Sequence, residues 1–438
     1  MKILLTADLH LGRSSSGLPP SAETLSMPTS SREAWLRMVD MAVREKVDAV
    51  LIAGDLVESS TAYYEAMGPL IEGFRKLQES GIDVFAVAGN HDASAFEKIA
   101  QEVEGMEKVH FIGRRGNWER VPLIKDGSDR LWVDGWSFPS SRYLSSPVDD
   151  YAFKRPGPGP VIGLLHGDLD VSASPYAPLS SISLRSRTPD FWLLGHVHKP
   201  GLSQTPNQAN ILYPGSPQAM DFGETGPHGV WLLDTDVNGL VPVQWQISTV
   251  RYEDSIRLDL SKSNQVDDIE RNLLGLCRGQ IDGLSIQERH ELRCVVHRCS
   301  LLGEFEQPEA ISALAKNLPE FAPPVYDGFH IRYEGSLRDL TTLPLDLQAL
   351  EQRGGALGQL ASRFRQLGSS EWREADWFED IHSTVLAAYR ECPLEGDDEL
   401  REGQSGRDGV GPPDKEQTRE WLLVQTRKLL VAAREVAS

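Results

Sequence analysis

Two histidines flank a single valine at His196-Val197-His198, and an acid and a histidine flank a single leucine at Asp8-Leu9-His10. Side chains alternate between faces in an extended segment, so each pair sends both of its members to one side. Carboxylate and imidazole presented together in this way suit a metal ion. The same chemistry recurs at Asp55 in "AGD", at Asn90, His91 and Asp92 in "GNHD", and at His166 in "HGD". A lone His-x-His is most simply one packed and one exposed histidine, but that reading does not account for five such clusters in one chain. The donors are oxygen and imidazole without thiolate, which favours Mn²⁺, Fe or Zn²⁺ over a cysteine-rich structural zinc site. They are too many for one ion. Two divalent ions about 3.5–4 Å apart, bridged by one carboxylate, would form a clamp for phosphoryl chemistry.

Each cluster closes a short apolar run, at 2–7, 47–55, 82–92, 160–168 and 190–198. Runs of this length, rich in Val, Ile, Leu and Phe, read as strands buried on both faces. Between the first three lie two helical patterns. "SREAWLRMVDMAVREK" places apolar residues at helical spacing behind Ser31 as N-cap, and "YYEAMGPLIEGFRKLQES" stops at Gly81 as C-cap. Strand, helix, strand, helix, strand predicts parallel strands joined by right-handed crossovers. Ligands of open sheets of this kind bind beyond the carboxyl ends of the strands, which is where the donors sit. Glycines at 54, 89 and 195 let the backbone turn sharply there.

A chain of 438 residues implies two or three domains. Its net charge of -20 repels nucleic acid at long range, so contact with a polyanion needs a local basic face or metal ions. No apolar run approaches the roughly 20 residues that span a membrane. The first ten residues reach Asp8 and His10 too soon for a signal peptide. Cys277, Cys294, Cys299 and Cys392 form no Cys-x-x-Cys, which predicts reduced thiols in a cytoplasmic protein without membrane contact.

Past Val250 the pattern becomes strand, helix, strand, helix without a metal or nucleophile constellation, a unit suited to recognition or restriction of access. From about 346 the chain reads as helical, interrupted by an acidic, flexible linker at 391–417. Its last helix carries an apolar stripe of Trp421, Leu422, Val424, Leu429, Leu430 and Ala433, which either packs on its own domain or docks another protein. The Ser/Pro-rich loop 13–31 leaves directly from the Asp8/His10 segment and is placed to flank a substrate entrance. His110, His228, His290, His297, His330 and His382 lie outside any motif and read as surface or packed histidines, and Arg114 and Arg115 as solvated surface.

In order and spacing, "DLHLG", "GD", "GNHD", "HGD" and "GHVH" resemble the five signature motifs of the calcineurin-like metallophosphoesterases. Within that superfamily, "ADLHLGR", "LYPGSP" (212–217) and "GETGPHGVWLLD" (223–234) are similar to the SbcD-type nuclease subunits of DNA repair, and above all to their YhaO-type branch. The resemblance implies an α/β fold: a four-layer αββα sandwich over 1–250, a small α+β cap domain over 251–345, and a helical C-terminal region over 346–438. It implies a two-metal-dependent phosphodiesterase, a DNA exonuclease or endonuclease, with DNA as substrate and an SMC-like, SbcC-type ATPase as partner. Homodimerisation stays open. By resemblance Asp8, His10 and His198 bind one ion, Asn90, His166 and His196 bind the other, and Asp55 bridges them, with Mn²⁺ the first choice of metal. His91 would stabilise the phosphorus centre or protonate the leaving oxygen, and Asp92 would hold that imidazole. Glu58 stands where many relatives carry a histidine or aspartate. A phosphatase or cyclic-nucleotide phosphodiesterase on the same scaffold is the alternative. A non-catalytic scaffold subunit is the other, and the intact donor set speaks against it.

Overall fold

The structure, a computed structural model, describes residues 1–437 except 17, 19–27, 59–62, 126, 128, 237–239, 262–265, 318–325, 334–336 and 392–412. The chain divides into two compact units, one of Met1–Leu302 with Glu309–Leu340, the other of Gly303–Pro308 with Thr341–Ser438.

The first unit is built on two six-stranded sheets. In the first sheet β1 (Lys2–Thr6), β2 (Ala49–Ala53), β3 (Asp83–Val87) and β4 (Val109–Phe111) run parallel. Helices α1 (Ser31–Arg44), α2 (Tyr63–Glu79) and α3 (Phe96–Glu102) make the crossovers. The second sheet has the order β5 (Glu119–Lys125), β6 (Asp129–Gly135), β7 (Val161–His166), β8 (Phe191–Gly195), β10 (Asn210–Tyr213), β9 (Gly201–Ser203), with α4 (Ser181–Arg185) between β7 and β8. The chain then returns to the first sheet, where β11 (Gly229–Asp234) pairs antiparallel with β1, and β12 (Val243–Gln246) with β11.

Alternation along the strands makes the layers. Ile3, Leu5, Leu51, Phe85 and Val87 face Leu131, Val133, Ile162, Leu164 and Leu193 of the other sheet in a fully apolar interface. The intervening residues Leu4, Val50, Ile52, Val84 and Ala86 pack with Trp35, Met38 and Val39 of α1 and Leu70, Phe74 and Leu77 of α2. Burying each of the larger side chains stabilises the fold by about 1.5–3 kcal/mol. The result is the expected αββα sandwich. The five buried runs do not share one sheet, however: β1–β3 lie in the first and β7 and β8 in the second. Both sheets are covered on both sides, so an all-apolar run carries no mark of which one it joins. The N-cap of α1 is Ser30, one residue before the expected Ser31, closing a capping box with Glu33. Ser31 Oγ instead donates to the His10 carbonyl at 2.9 Å.

Residues 250–340 add a third sheet of parallel strands, β13 (Val250–Asp259), β14 (Cys294–Leu302) and β15 (His330–Tyr333), with β16 (Arg338–Asp339) also on β14. Helix α5 (Val266–Asp282) links β13 to β14, α6 (Ile286–Arg289) follows it, and α7 (Pro308–Asn317) precedes β15.

The second unit is helical: α8 (Leu347–Gln352), α9 (Gly355–Gly368), α10 (Asp376–Glu391) and α11 (Lys415–Ala437). Its cores are small, one of Leu350, Ala361 and Leu430, the other of Leu367, Trp372 and Phe378. The expected stripe of α11 is divided between them and solvent. Leu430 is buried and Leu422 packs on the second cluster, while Trp421, Val424 and Leu429 are 47%, 52% and 58% exposed. Most of the loop 13–31 and of the acidic segment 391–417 lies outside the described residues. Among the described residues no helix is long and apolar enough to cross a membrane.

Candidate metal centre

Every donor named above comes from the end of a central strand or the loop that follows it. Asp8 and His10 follow β1, Asp55 follows β2, and Asn90, His91 and Asp92 follow β3. His166 ends β7, and His196 and His198 follow β8. Backbone hydrogen bonds fasten the first two loops together: Asp8 N–H donates to Gly54 O (3.1 Å), His10 N–H to Asp55 O (2.9 Å) and Leu11 N–H to Leu56 O (3.0 Å). Two glycines permit the close approach. A side chain at Gly195 would collide with the Ala53 carbonyl, and one at Gly89 with the Asp55 carboxylate. Four donors hold left-handed backbone conformations that non-glycine residues rarely adopt, with φ of 52° at Asp8, 43° at His10, 52° at Asp55 and 103° at His196. Each costs about 1–3 kcal/mol and persists only because the surroundings impose it.

The side chains converge in two groups. In the first, His10 Nε2 and His198 Nε2 are 3.0 Å apart, and both belong with Asp8 to a set that could hold a metal ion. In the second, Asn90 Oδ1 is 3.0 Å from His166 Nε2 and 3.2 Å from His196 Nδ1. Asp55 lies between them, its Oδ2 3.6 Å from His10 Nε2 and 3.4 Å from His166 Nε2. Asp8 Oδ1 accepts from the His196 backbone N–H at 3.0 Å, which ties the two groups together.

The outward nitrogen of each ring faces an oxygen. His10 Nδ1 is 2.8 Å from Glu58 Oε2, and His198 Nδ1 is 2.7 Å from Glu224 Oε1. His166 Nδ1 is 2.9 Å from the Ala53 carbonyl, and His196 Nε2 is 3.4 Å from Asp168 Oδ1. At His166 and His198 the outer oxygen is a hydrogen-bond partner that can only accept, so the outer nitrogen of each of these two rings carries a hydrogen. His10 Nε2 and His198 Nε2 lie 3.0 Å apart and the Asn90 amide oxygen faces two further ring nitrogens, so oxygen and imidazole donors converge at two adjacent points. The donor set therefore fits divalent metal ions.

The field differs across the centre. Burial pushes the His198 imidazole down, but the Glu224 hydrogen bond and the Asp8 and Glu224 charges outweigh it and hold it at about 9. Burial also lowers His196, and the neighbouring His166 lowers it further. Burial raises the Asp55 carboxyl, yet the His166, His10 and His91 rings bring it below its ordinary value.

Sequence reasoning missed several supports. Glu224 is buried, its Oε2 accepting from Ser216 Oγ (2.7 Å) and Met220 N–H (2.9 Å). Ser216 Oγ in turn lies 3.1 Å from His228 Nδ1. The motifs "LYPGSP" and "GETGPHG" contain Ser216, Glu224 and His228, but only the folded chain brings them behind His198. Glu58 does not reproduce an imidazole. Its carboxylate lies against His10, and its backbone carbonyl lies 2.9 Å from His91 Nδ1. Asp92 does not hold His91, contrary to expectation. Its carboxylate is buried and accepts from Leu56 N–H (2.6 Å) and Gly89 N–H (2.7 Å), so it shapes the loop that carries Asn90 and His91. The side chain of His91 is 41% exposed beside the cluster. Arg114 and Arg115 pair with Glu97 as surface residues.

Comparison with known proteins agrees with this geometry. The calcineurin-like phosphoesterase family model matches residues 1–200. The chain is 32% identical over 244 residues to the uncharacterized metallophosphoesterase YhaO of Bacillus subtilis, covering 55% of this chain and 58% of that one. It is 24% identical over 324 residues to the DNA double-strand break repair protein Mre11 of Methanopyrus kandleri, covering 68% and 70%. It is 23% identical over 273 residues to the SbcD component of the SbcCD nuclease of Escherichia coli, covering 55% and 66%.

Proposed function

With residues 1–200 forming a calcineurin-like phosphoesterase domain, we propose that the protein is a two-metal phosphodiesterase acting on DNA, a nuclease subunit of the repair kind that works with an SMC-like ATPase. In this reading Asp8, His10 and His198 hold one divalent ion, Asn90, His166 and His196 hold the second, and Asp55 is shared, with Mn²⁺ the preferred metal. The observation that carries it is the convergence of four imidazoles, the Asn90 amide oxygen and the buried Asp8 and Asp55 carboxylates at two adjacent points. Such a set is preorganised for cations and has no other evident use. When bound, the two ions would supply Lewis acidity and an activated water for in-line displacement at phosphorus. The chain supplies the rest. His91 keeps its Nδ1 hydrogen on the Glu58 carbonyl, and when the ring is doubly protonated its Nε2 carries the further hydrogen that would pass to the leaving oxygen. The deep carboxylates Asp8 and Asp55 orient His196 and His91 through their backbone N–H groups.

The relatives support the polymeric substrate: one is a nuclease component and another acts in double-strand break repair. The test is product analysis of end-labelled single- and double-stranded oligonucleotides with Mn²⁺, beside a small phosphodiester and mononucleotides. Cleavage of DNA that falls steeply with added salt is expected, because a polyanion bound by an acidic protein depends on counterion release. Hydrolysis of mononucleotides with no cleavage of DNA under any metal would reject the nuclease reading in favour of a phosphatase.

A further inference from the structure

At the opposite end of the second sheet an open cleft of about 580 Å³ is lined by Arg155, Arg185 and Arg187. Pro160 and Asp190, on its wall, directly precede β7 and β8, whose far ends lead to His166 and His196. Five or six residues of strand at ~3.3 Å each put the cleft roughly 17–20 Å from the candidate metal centre. It is a separate place on the molecule.

Its charges do not balance. Arg155 Nη1 donates to Asp190 Oδ1 at 2.7 Å and Nη2 to the Gly159 carbonyl at 3.0 Å. Arg185 Nη2 donates to Ser203 Oγ at 2.7 Å, a neutral partner. Arg187 has no hydrogen bond or ion pair among the described residues, and its Nε, like that of Arg185, is buried without an acceptor. Among the described residues Asp190 is thus the one carboxylate on a wall with three guanidinium groups, in a chain of net charge -20. Elsewhere in this unit arginines meet acids: Arg114 pairs with Glu97, Arg120 with Asp134 and Arg251 with Glu253. A donor held out of water without an acceptor is unfavourable, and an incoming anion relieves it. The planar fork of arginine matches a phosphate group bidentately, and Asn207 and Gln208 on the same wall offer amide donors.

We propose that this cleft binds a phosphate-bearing ligand, with Arg187 and Arg185 as its main anchors. The volume exceeds that of a bare phosphate and admits a nucleotide. A free nucleotide and a stretch of polynucleotide backbone share that chemistry. The inference does not rest on the nuclease reading, because the cleft holds none of the metal-centre residues.

The test is fluorescence polarisation of the full-length protein with a labelled single-stranded oligonucleotide, and with a labelled mononucleotide, both in excess chelator so that metal-dependent binding is absent. Arg187→Gln should weaken binding at least about tenfold, the scale of one lost charge-assisted hydrogen bond, and Arg185→Gln with Arg187→Gln should remove it. Hydrolysis of a small phosphodiester at the metal centre should be unchanged. Loss with both probes supports the cleft and names a free nucleotide as sufficient; loss with the oligonucleotide alone supports it and names the polynucleotide backbone. Unchanged binding of both probes in a variant with a normal thermal melt overturns the proposal. If Arg187→Gln does not fold, Arg187→Lys keeps the charge and loses the fork. It should bind more weakly than wild type, and equal binding is again fatal.

Discussion

The two halves of the candidate metal centre use the same kinds of donor but brace them unequally. Around His10 and His198, both outer nitrogens meet carboxylates, at 2.8 and 2.7 Å. Around His166 and His196, one meets a neutral carbonyl at 2.9 Å and the other a carboxylate at 3.4 Å. The surroundings respond in opposite directions, lifting the His198 imidazole to about 9 and lowering that of His196. A carboxylate behind an imidazole fixes its tautomer and raises its basicity as a ligand. The comparison therefore predicts two ions of unequal affinity, with the His10/His198 position filling first.

The largest effect tests what the halves share. Asp55→Ala removes the carboxylate that stands between the inward nitrogens of His10 and His166, so both ions should be lost and turnover should fall to background. Metal analysis after dialysis decides this, and retention of either ion at full occupancy means Asp55 is not shared. The next effect should spare the comparison. His91→Ala lowers turnover about 10²–10⁴-fold, the range of a lost general acid, with both ions still bound; loss of metal from this variant would place His91 among the ligands. Smaller effects distinguish the halves. Glu224→Ala should weaken the tighter Mn²⁺ site about 10–100-fold, followed by titration with electron paramagnetic resonance of free Mn²⁺. Asp168→Ala should weaken the other site by about tenfold, the lower end of that range, because its contact is long. Equal losses from the two variants would dissolve the asymmetry.

The sequence exposes the donors more readily than their supports, for a physical reason. Asp8 and His10, or His196 and His198, are two residues apart at the end of a strand, so local geometry alone puts them on one side. Glu224 reaches His198 only because β9 and β10 intervene and the chain folds back, a relation no local period encodes. Glu58 is visible in the sequence, but its approach to His10 is not. The layered sandwich follows from alternating strands and helices. The partition of five similar apolar runs between two sheets does not, since burial on both faces erases the difference between them. Ser30 and Ser31 are adjacent and equally able to cap, and the tie of Ser31 to the His10 carbonyl is what separates them.

The left-handed backbone at Asp8, His10, Asp55 and His196 has a consequence for any attempt to harden this protein. Glycine or asparagine relaxes such a conformation at little steric cost. Variants selected for heat resistance alone would therefore gather at the very positions that chemistry requires, and the hardiest survivors would be inert. A screen on this scaffold has to select for turnover and for melting temperature at once.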